Sequence, residues 1–308
     1  MNVTVTGGAG YIGSHIVDNL LTRGIKVRVV DNFRTGRREF TNAAADIHEG
    51  SILDPETLIP AFDGADWIIH MAANAEGRRG LARPRWDIEQ NVLGTASVLE
   101  TMHALGVPNI FYASSGSVYG NTALPRITED CPFPTQTSLY GASKIAGEGL
   151  VGAYVEGMGM NAVIGRWMQA IGPRYLHGHI IDFVRKLQRD PHRLTILGDG
   201  TQAKSGLHVK DLAEGIVHTV MQHDDGLAVY NFGSDEMVTI DESARLIANV
   251  MGLLPELIHD GSTWPGDNPH TYLDTTRANA TGWKPERTVC QAITDTAYWL
   301  LSPDCTYL

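Results

Sequence analysis

Met1-Asn-Val-Thr-Val-Thr-Gly7-Gly8-Ala9-Gly10-Tyr11-Ile12-Gly13 opens the chain and decides how the rest is read. Val3 and Val5 alternate with polar residues and run into glycines, which predicts a short strand ending in a turn. From Tyr11 onward Ile12, Ile16, Leu20 and Leu21 recur at helical spacing up to Gly24, a C-terminal stop. Strand, glycine turn and helix leave unpaired backbone N–H groups where a pyrophosphate could sit. Gly7 and Gly10 would let the backbone approach phosphate, and Gly13 would let helix and strand pack closely. Glycine turns also join strand to helix in α/β proteins that bind no nucleotide, so the turn needs company. A second predicted strand, Lys26–Val30, supplies it by ending on Asp31, twenty-one residues past Gly10. An acid at that distance suits the adenosine ribose hydroxyls and would repel a 2′-phosphate, so NAD is expected rather than NADP. Arg34, Arg37 and Arg38 follow and read as a solvated cluster.

The alternation continues. Strands are expected at Asp46–Glu49, Asp66–His70, Asn109–Ala113 and Asn161–Arg166, with helices near 55–62, 86–105 and 138–157. This implies an α/β fold, a Rossmann-type doubly wound parallel sheet covered on both faces. Ligands in such sheets collect at the carboxyl ends of strands, where His70 and Ser114-Ser115 fall. After residue 166 proline and glycine punctuate the chain, with helical patterns near 179–189, 211–222, 241–251 and 288–301. We read residues 1–168, with a returning segment near 206–232, as the dinucleotide domain and 169–308 as mainly a smaller C-terminal α/β substrate lobe.

Tyr140 and Lys144 are four apart on a predicted helix, so phenol and ammonium share a face. A phenol of pKa ~10 is a poor base at neutral pH, but a neighbouring cation favours the phenolate. The positive ring of an oxidised nicotinamide would act the same way. With Ser115 upstream, that pair suits removal of a proton from a sugar hydroxyl as hydride leaves the same carbon. Taken alone, Tyr and Lys at this spacing equally suit a solvated helix face.

Bulk properties fit an enzyme that keeps away from nucleic acid: 24 basic residues against 35 acidic give a net charge of −11. The one basic cluster, Arg78, Arg79, Arg83 and Arg85, reads as a solvated loop or as a contact for substrate phosphate. The first strand begins at once, leaving no room for a signal peptide, and no apolar run reaches the ~18 residues that span a bilayer. Cys131, Cys290 and Cys305 lack metal or redox spacing, which suits a reducing cytosol, so a cytoplasmic protein is expected. The 12 histidines form no H-x-x-x-H set, so no metal is expected. His177 and His179 lie in a glycine-rich turn and could meet substrate or simply shape the loop.

Taken together, Gly7-x-x-Gly10-x-x-Gly13, His70-Met-Ala-Ala73, Asn91, Ser114-Ser115-Gly-Ser-Val-Tyr-Gly120 and Tyr140-x-x-x-Lys144 resemble the extended short-chain dehydrogenase/reductases. The later stretches Ile171-Gly-Pro-Arg174, Gly198-Asp-Gly-Thr-Gln202, Leu207-His-Val-Lys-Asp211, Pro265-Gly-Asp267 and Gly282-Trp-Lys-Pro285 extend the likeness nearly to the end. The chain is similar to the NAD-dependent nucleotide-sugar epimerase and dehydratase branch, and within it to UDP-glucose (UDP-galactose) 4-epimerases. The resemblance implies that Tyr140 takes the sugar proton, that Lys144 binds the nicotinamide ribose and lowers the phenol pKa, and that Ser115 bonds the same sugar oxygen. It implies NAD contacts from Gly7, Gly10, Tyr11, Ile12, Gly13, Asp31, Asn32, Ser51, Ile52, Ala72, Ala73, Asn91, Ser114 and Trp167, besides Tyr140 and Lys144. Substrate contacts fall to Ser115, Gly116, Ser117, Tyr140, Gln169, His179, Lys204 and Asp267. Hydride would pass to NAD and return to the opposite face of a 4-keto sugar, inverting C4. The helices around Asn91–Leu105 and Tyr140–Tyr154 carry apolar residues on more than one face, and relatives use them to form a homodimer.

Departures from the pattern matter. Dehydratases of this family place an acidic pair after the serine and decarboxylases a Glu, whereas this chain has Gly116 and Ser117, neither of them a general acid. UDP-galactose 4-epimerases usually have Asn where Gln169 stands and Arg where Lys204 and Trp264 stand; Ser51 replaces an Asp that contacts adenine. These changes leave the redox residues intact and open the choice of nucleotide (UDP, GDP, ADP or CDP) and of sugar. Three alternatives stand beside the epimerase: a net sugar oxidoreductase, a dehydratase or decarboxylase using Glu148 or Glu76, and a non-catalytic NAD sensor. Glu148 and Glu76 read as surface charges, and a sensor would need only the glycine loop and Asp31.

Overall fold

The computed structural model describes residues 1–74, 83–122, 124–133, 135–262, 270–303 and 305–308. Its centre is a seven-stranded parallel sheet. In spatial order the strands are Leu227–Asn231, Asn161–Arg166, Asn109–Ala113, Trp67–His70, Asn2–Thr6, Lys26–Asp31 and Asp46–Glu49. The order reverses direction between Asn2–Thr6 and Trp67–His70, the first and fourth strands, so the crevice of a doubly wound sheet opens above Thr6 and His70.

The expected helices form close to their predicted bounds: Tyr11–Thr22, Pro55–Phe62, Leu139–Met158, His179–Arg189, Val209–Gln222, Ile240–Val250 and Val289–Leu301. Their starts follow local chemistry. Asp54 accepts from Glu56 N with Pro55 at the first helical position, and Ser138 Oγ accepts from Gly141 N at 3.0 Å. Thr239 with Glu242 and Thr288 with Gln291 make capping boxes. The helix predicted near 86–105 is three pieces instead: an α turn at Pro84–Asp87, a π turn at Ile88–Leu93 and an α-helix at Gly94–Leu105. The π turn carries Asn91 into the interior, a use such turns often have near functional sites.

Burial follows the layers. One core lies on the face covered by Tyr11–Thr22 and Val209–Gln222, another on the face covered by Pro55–Phe62, Gly94–Leu105 and Leu139–Met158. A third core fills the C-terminal lobe, where Ile180, Phe183, Val184, Ile247 and Ile293 meet. Three short parallel pairs absent from the sequence reading stand apart from the main sheet: Gln169–Ile171 with Gly206–His208, Arg193–Ile196 with Glu256–His259, and Ala203–Lys204 with His270–Thr271. Among the described residues no helix is long and apolar enough to cross a membrane and no His, Cys, Asp and Glu group could hold a metal. All three cysteines are free thiols.

Candidate active site

The glycine turn is built to have no side chains. A Cβ on Gly7, at φ +71°, would stand 2.7 Å from Ala72 N, and one on Gly13 would stand 2.2 Å from Gly7 O. The helix that follows starts at Gly10 with no side-chain cap and no acid in its first turn. Its first N–H groups and the positive end of its dipole therefore face the crevice. Asp31 sits at the end of the next strand, 8% exposed, accepting from Ala9 N at 3.0 Å and Phe33 N at 2.9 Å. Burial pushes its carboxyl up and those two bonds pull it back. The carboxylate thus fixes the glycine turn.

The arginines after Asp31 are spoken for. Arg34 stacks on Trp86 at 3.8 Å, Arg38 pairs with Glu49 at 2.5 Å, and Arg37 lies over Tyr307. Asn32 is exposed and accepts from Arg34 N, and Ser51 Oγ accepts from Leu53 N at 3.2 Å beside buried Ile52.

His70 fixes the far wall. Thr95 Oγ1 donates to Asn91 O, so it accepts from His70 Nε2–H, leaving Nδ1 to accept from Thr6 Oγ1 at 2.7 Å. Burial first, then the charge of Lys144, drops His70 to about 3, so the ring is neutral. Thr6 also accepts from Ala72 N, holding Ala72 against Gly7. Asn91 is 1% exposed and its amide clamps Asn74: Oδ1 accepts from Asn74 N at 2.7 Å and Nδ2 donates to Asn74 O and to Ser143 Oγ.

Ser115 caps a 3₁₀ turn at Gly116–Tyr119, its Oγ accepting from Ser117 N at 3.1 Å with Ser117 Oγ 3.2 Å away. Gly116 N donates to Trp167 O, and a Cβ there would fall 2.1 Å from Met168 Sδ, so the space beside the position after the serine is already filled from the bend that follows Asn161–Arg166. Ser115 lies against the Tyr140 phenol and lowers its pKa. Burial is the larger effect and pushes Tyr140 up to about 12. Lys144, 3% exposed, donates to Ala113 O at 2.8 Å and lies 5.8 Å from the Tyr140 ring centre. Burial drops the amine to about 8, against the pull of Glu148 and Asp87. In the protein alone burial outweighs the Ser115 hydroxyl at Tyr140, and the negative charge of Asp87 adds to the rise.

A second correction concerns Glu148. It is not a surface charge but 7% exposed, gripped by Arg166 through Nε at 2.8 Å and Nη2 at 2.6 Å, and it accepts from Ser114 Oγ. Ser114 accordingly turns its hydroxyl into the core. A carboxylate so held is in no position to act on a sugar. Trp167 packs in the sheet core, 9% exposed. Gln169 starts the strand beside Gly206, and Lys204 is half-buried in the pair with Thr271. His179 Nε2 is joined to Ser243 Oγ at 2.8 Å inside the C-terminal lobe, and burial drops it to about 4. Tyr11 stacks with Tyr175 beside His177, and half-buried Ile12 packs against the first core. Glu76, Arg78, Arg79, Trp264 and Asp267 lie outside the described residues; Arg83 faces Trp86 and Arg85 pairs with Glu89 on the surface. Sequence reasoning passed over Asn74 and Asp87, which are bonded to each other beside Asn91. Asp87 stands four residues before Asn91, a spacing that could have drawn attention to it.

The residues present fit a dinucleotide: a side-chain-free turn, an uncapped helix start and a buried acid at the second strand. At the other end of the crevice two hydroxyls and an ammonium converge. A model of the NAD dependent epimerase/dehydratase family matches residues 3–233. A putative UDP-glucose 4-epimerase of Methanocaldococcus jannaschii is 31% identical, over 97% of this chain and 98% of its own. The UDP-glucose 4-epimerase of Thermotoga maritima, solved with UDP-glucose, superposes with a TM-score of 0.90 at 28% identity, covering 97% of this chain and 98% of that one. The Thermus thermophilus UDP-glucose 4-epimerase, solved with NAD, gives 0.88 at 30% identity over 98% and 100%. Sharing that family's signature through both the glycine turn and the Tyr140 helix, and its epimerases' fold along nearly the whole length, the chain belongs to the NAD-dependent epimerase/dehydratase family.

Proposed function

We propose that this protein is an NAD-dependent epimerase of a nucleoside-diphosphate sugar, inverting C4 through a transient 4-keto sugar. One observation carries the reading: Ser115 and Tyr140 hydroxyls meet beside a buried Lys144, while the positions after the serine hold Gly116 and Ser117 instead of acids. Bound NAD supplies a reversible hydride acceptor for the sugar carbon. The residues do the rest. Ser115 holds the sugar oxygen, and Tyr140 removes its proton and returns it. Lys144, charged below pH 8, stabilises the phenolate at the moment the proton arrives or leaves. Gly7, Gly10, Gly13 and Asp31 hold the dinucleotide, leaving Asn91 to fix the loop at Asn74. Among the described residues elimination or decarboxylation lacks its acid, because Met168 fills the space beside Gly116 and Arg166 locks Glu148.

UDP-glucose and UDP-galactose are the first substrates to offer, since relatives of similar fold carry those names. Proton NMR should show their interconversion without net NADH. Tyr140→Phe should slow it by at least ~10²–10⁴-fold while leaving NAD bound. Stoichiometric NADH would replace the epimerase with a net oxidoreductase.

The same proposal extends to assembly and place. The helices Gly94–Leu105 and Leu139–Met158 pack side by side; Leu93, just before the first, and Ala142, Ala146, Gly149 and Ala153 of the second are exposed, small or apolar residues suited to a four-helix homodimer. Light scattering on the Gly149→Glu variant should find a monomer where the parent is a dimer; an unchanged mass would refute this interface. Three free thiols suit a cytoplasmic setting.

A further inference from the structure

Asp87 closes the turn Pro84–Asp87, which packs on the helix bearing Tyr140 and Lys144. It is 1% exposed. Its Oδ1 accepts from Asn74 Nδ2 at 2.7 Å, while Oδ2 is buried with no hydrogen-bond partner among the described residues. None of the ion pairs among the described residues uses Asp87. Leaving such an oxygen unpaired costs stability, so its retention calls for another reason.

The groups around Lys144 supply one. Its own helix brings Tyr140 and Glu148; the strand Asn109–Ala113 brings the Tyr112 ring at 5.1 Å and the neutral carbonyl of Ala113. The strand Trp67–His70 brings His70, which is neutral. Of the two carboxylates whose charge reaches the lysine, Glu148 is paired with Arg166 at 2.6 Å. Seen from Lys144 that pair is a dipole, whose field fades faster than that of a single charge. Among the described residues Asp87 has no cation paired with it. Its position is also tied to the site: Asn74 holds it, Asn91 clamps Asn74, and Asn91 Nδ2 donates to Ser143 Oγ, which donates to Tyr140 O.

We propose that Asp87 is the counterion of Lys144, a positioning residue that keeps the buried ammonium charged across the site without bonding to it. This rests on the reading of Lys144 as the cation that serves Tyr140. The negative charge also opposes ionisation of Tyr140, so proton removal at the phenol depends the more on a charged lysine.

The test titrates protein carrying lysine labelled with 13C at Cε by NMR, with Lys144 assigned from its absence in Lys144→Arg. In the parent, Lys144 should titrate near pH 8. In Asp87→Asn, which keeps the bond from Asn74, the midpoint should fall by about one unit or more. Asp87→Glu, retaining the charge, should stay close to the parent. Should Asp87→Asn fold poorly, Asp87→Ser titrated the same way decides, with the same fall expected. A Lys144 midpoint unmoved by loss of the carboxylate overturns the proposal. No sugar enters the measurement, so failure to epimerise nucleotide sugars would overturn the function proposed above and leave this result standing.

Discussion

Replacing Glu148 by Gln removes one charge from a site closed to water, where the side chains of Arg166 and Glu148 are 5% and 6% exposed. The amide oxygen keeps Arg166 Nε and Ser114 Oγ, which share Oε1, and the amide nitrogen becomes a donor facing the donor Arg166 Nη2. Besides that neutral oxygen, the guanidinium has the Tyr119 hydroxyl at 2.9 Å and Glu129 O at 3.1 Å as acceptors, neither of them charged. Stranding one member of a buried pair costs about 3–5 kcal/mol. At ~2–4 °C per kcal/mol for a large domain, the melting temperature should fall by roughly 6–20 °C in a thermal-shift assay. Replacing both residues with apolar ones (Glu148→Leu with Arg166→Met) should cost less than Glu148→Gln alone, since no buried charge remains. A fall under ~2 °C for Glu148→Gln would mean that water reaches the pair and that the burial argument is wrong.

Two further outcomes follow from the site. Gly13→Ala puts a methyl group 2.2 Å from Gly7 O and 3.0 Å from Gly8 Cα, so the helix must lift from the turn. The expected cost is about 1–3 kcal/mol together with weakened NAD binding, and calorimetry showing parental affinity would refute the cradle. Lys144, held to about 8 in the fold, has a reference value of ~10.4 once unfolded. Above pH 8 the folded protein gives up this proton while the unfolded chain keeps it. Turnover should therefore fall through pH 8, even as this group's contribution to stability rises between pH 8 and ~10.4. Turnover flat to pH 9 would show that the lysine charge is not needed.

What the sequence determined by itself was whatever chemistry is local. Alternating valines ended by glycines, helical spacing after Tyr11, and an acid closing Lys26–Asp31 each encode their own geometry, so the cofactor half of the sheet was legible strand by strand. Tyr140 and Lys144 were legible because four residues on a helix fix a shared face. Tertiary structure decided the rest. The pairs of two to four residues apart from the main sheet have no periodicity to read and form only because partners far along the chain lie beside them. Glu148 looked solvated because nothing nearby in sequence announces Arg166, eighteen residues on, or Ser114, thirty-four back. The phenol and the amine shift by desolvation, which depends on everything packed around them and on no neighbour in the chain. Spacing can specify which groups share a face, but the dielectric they share is a property of the folded volume.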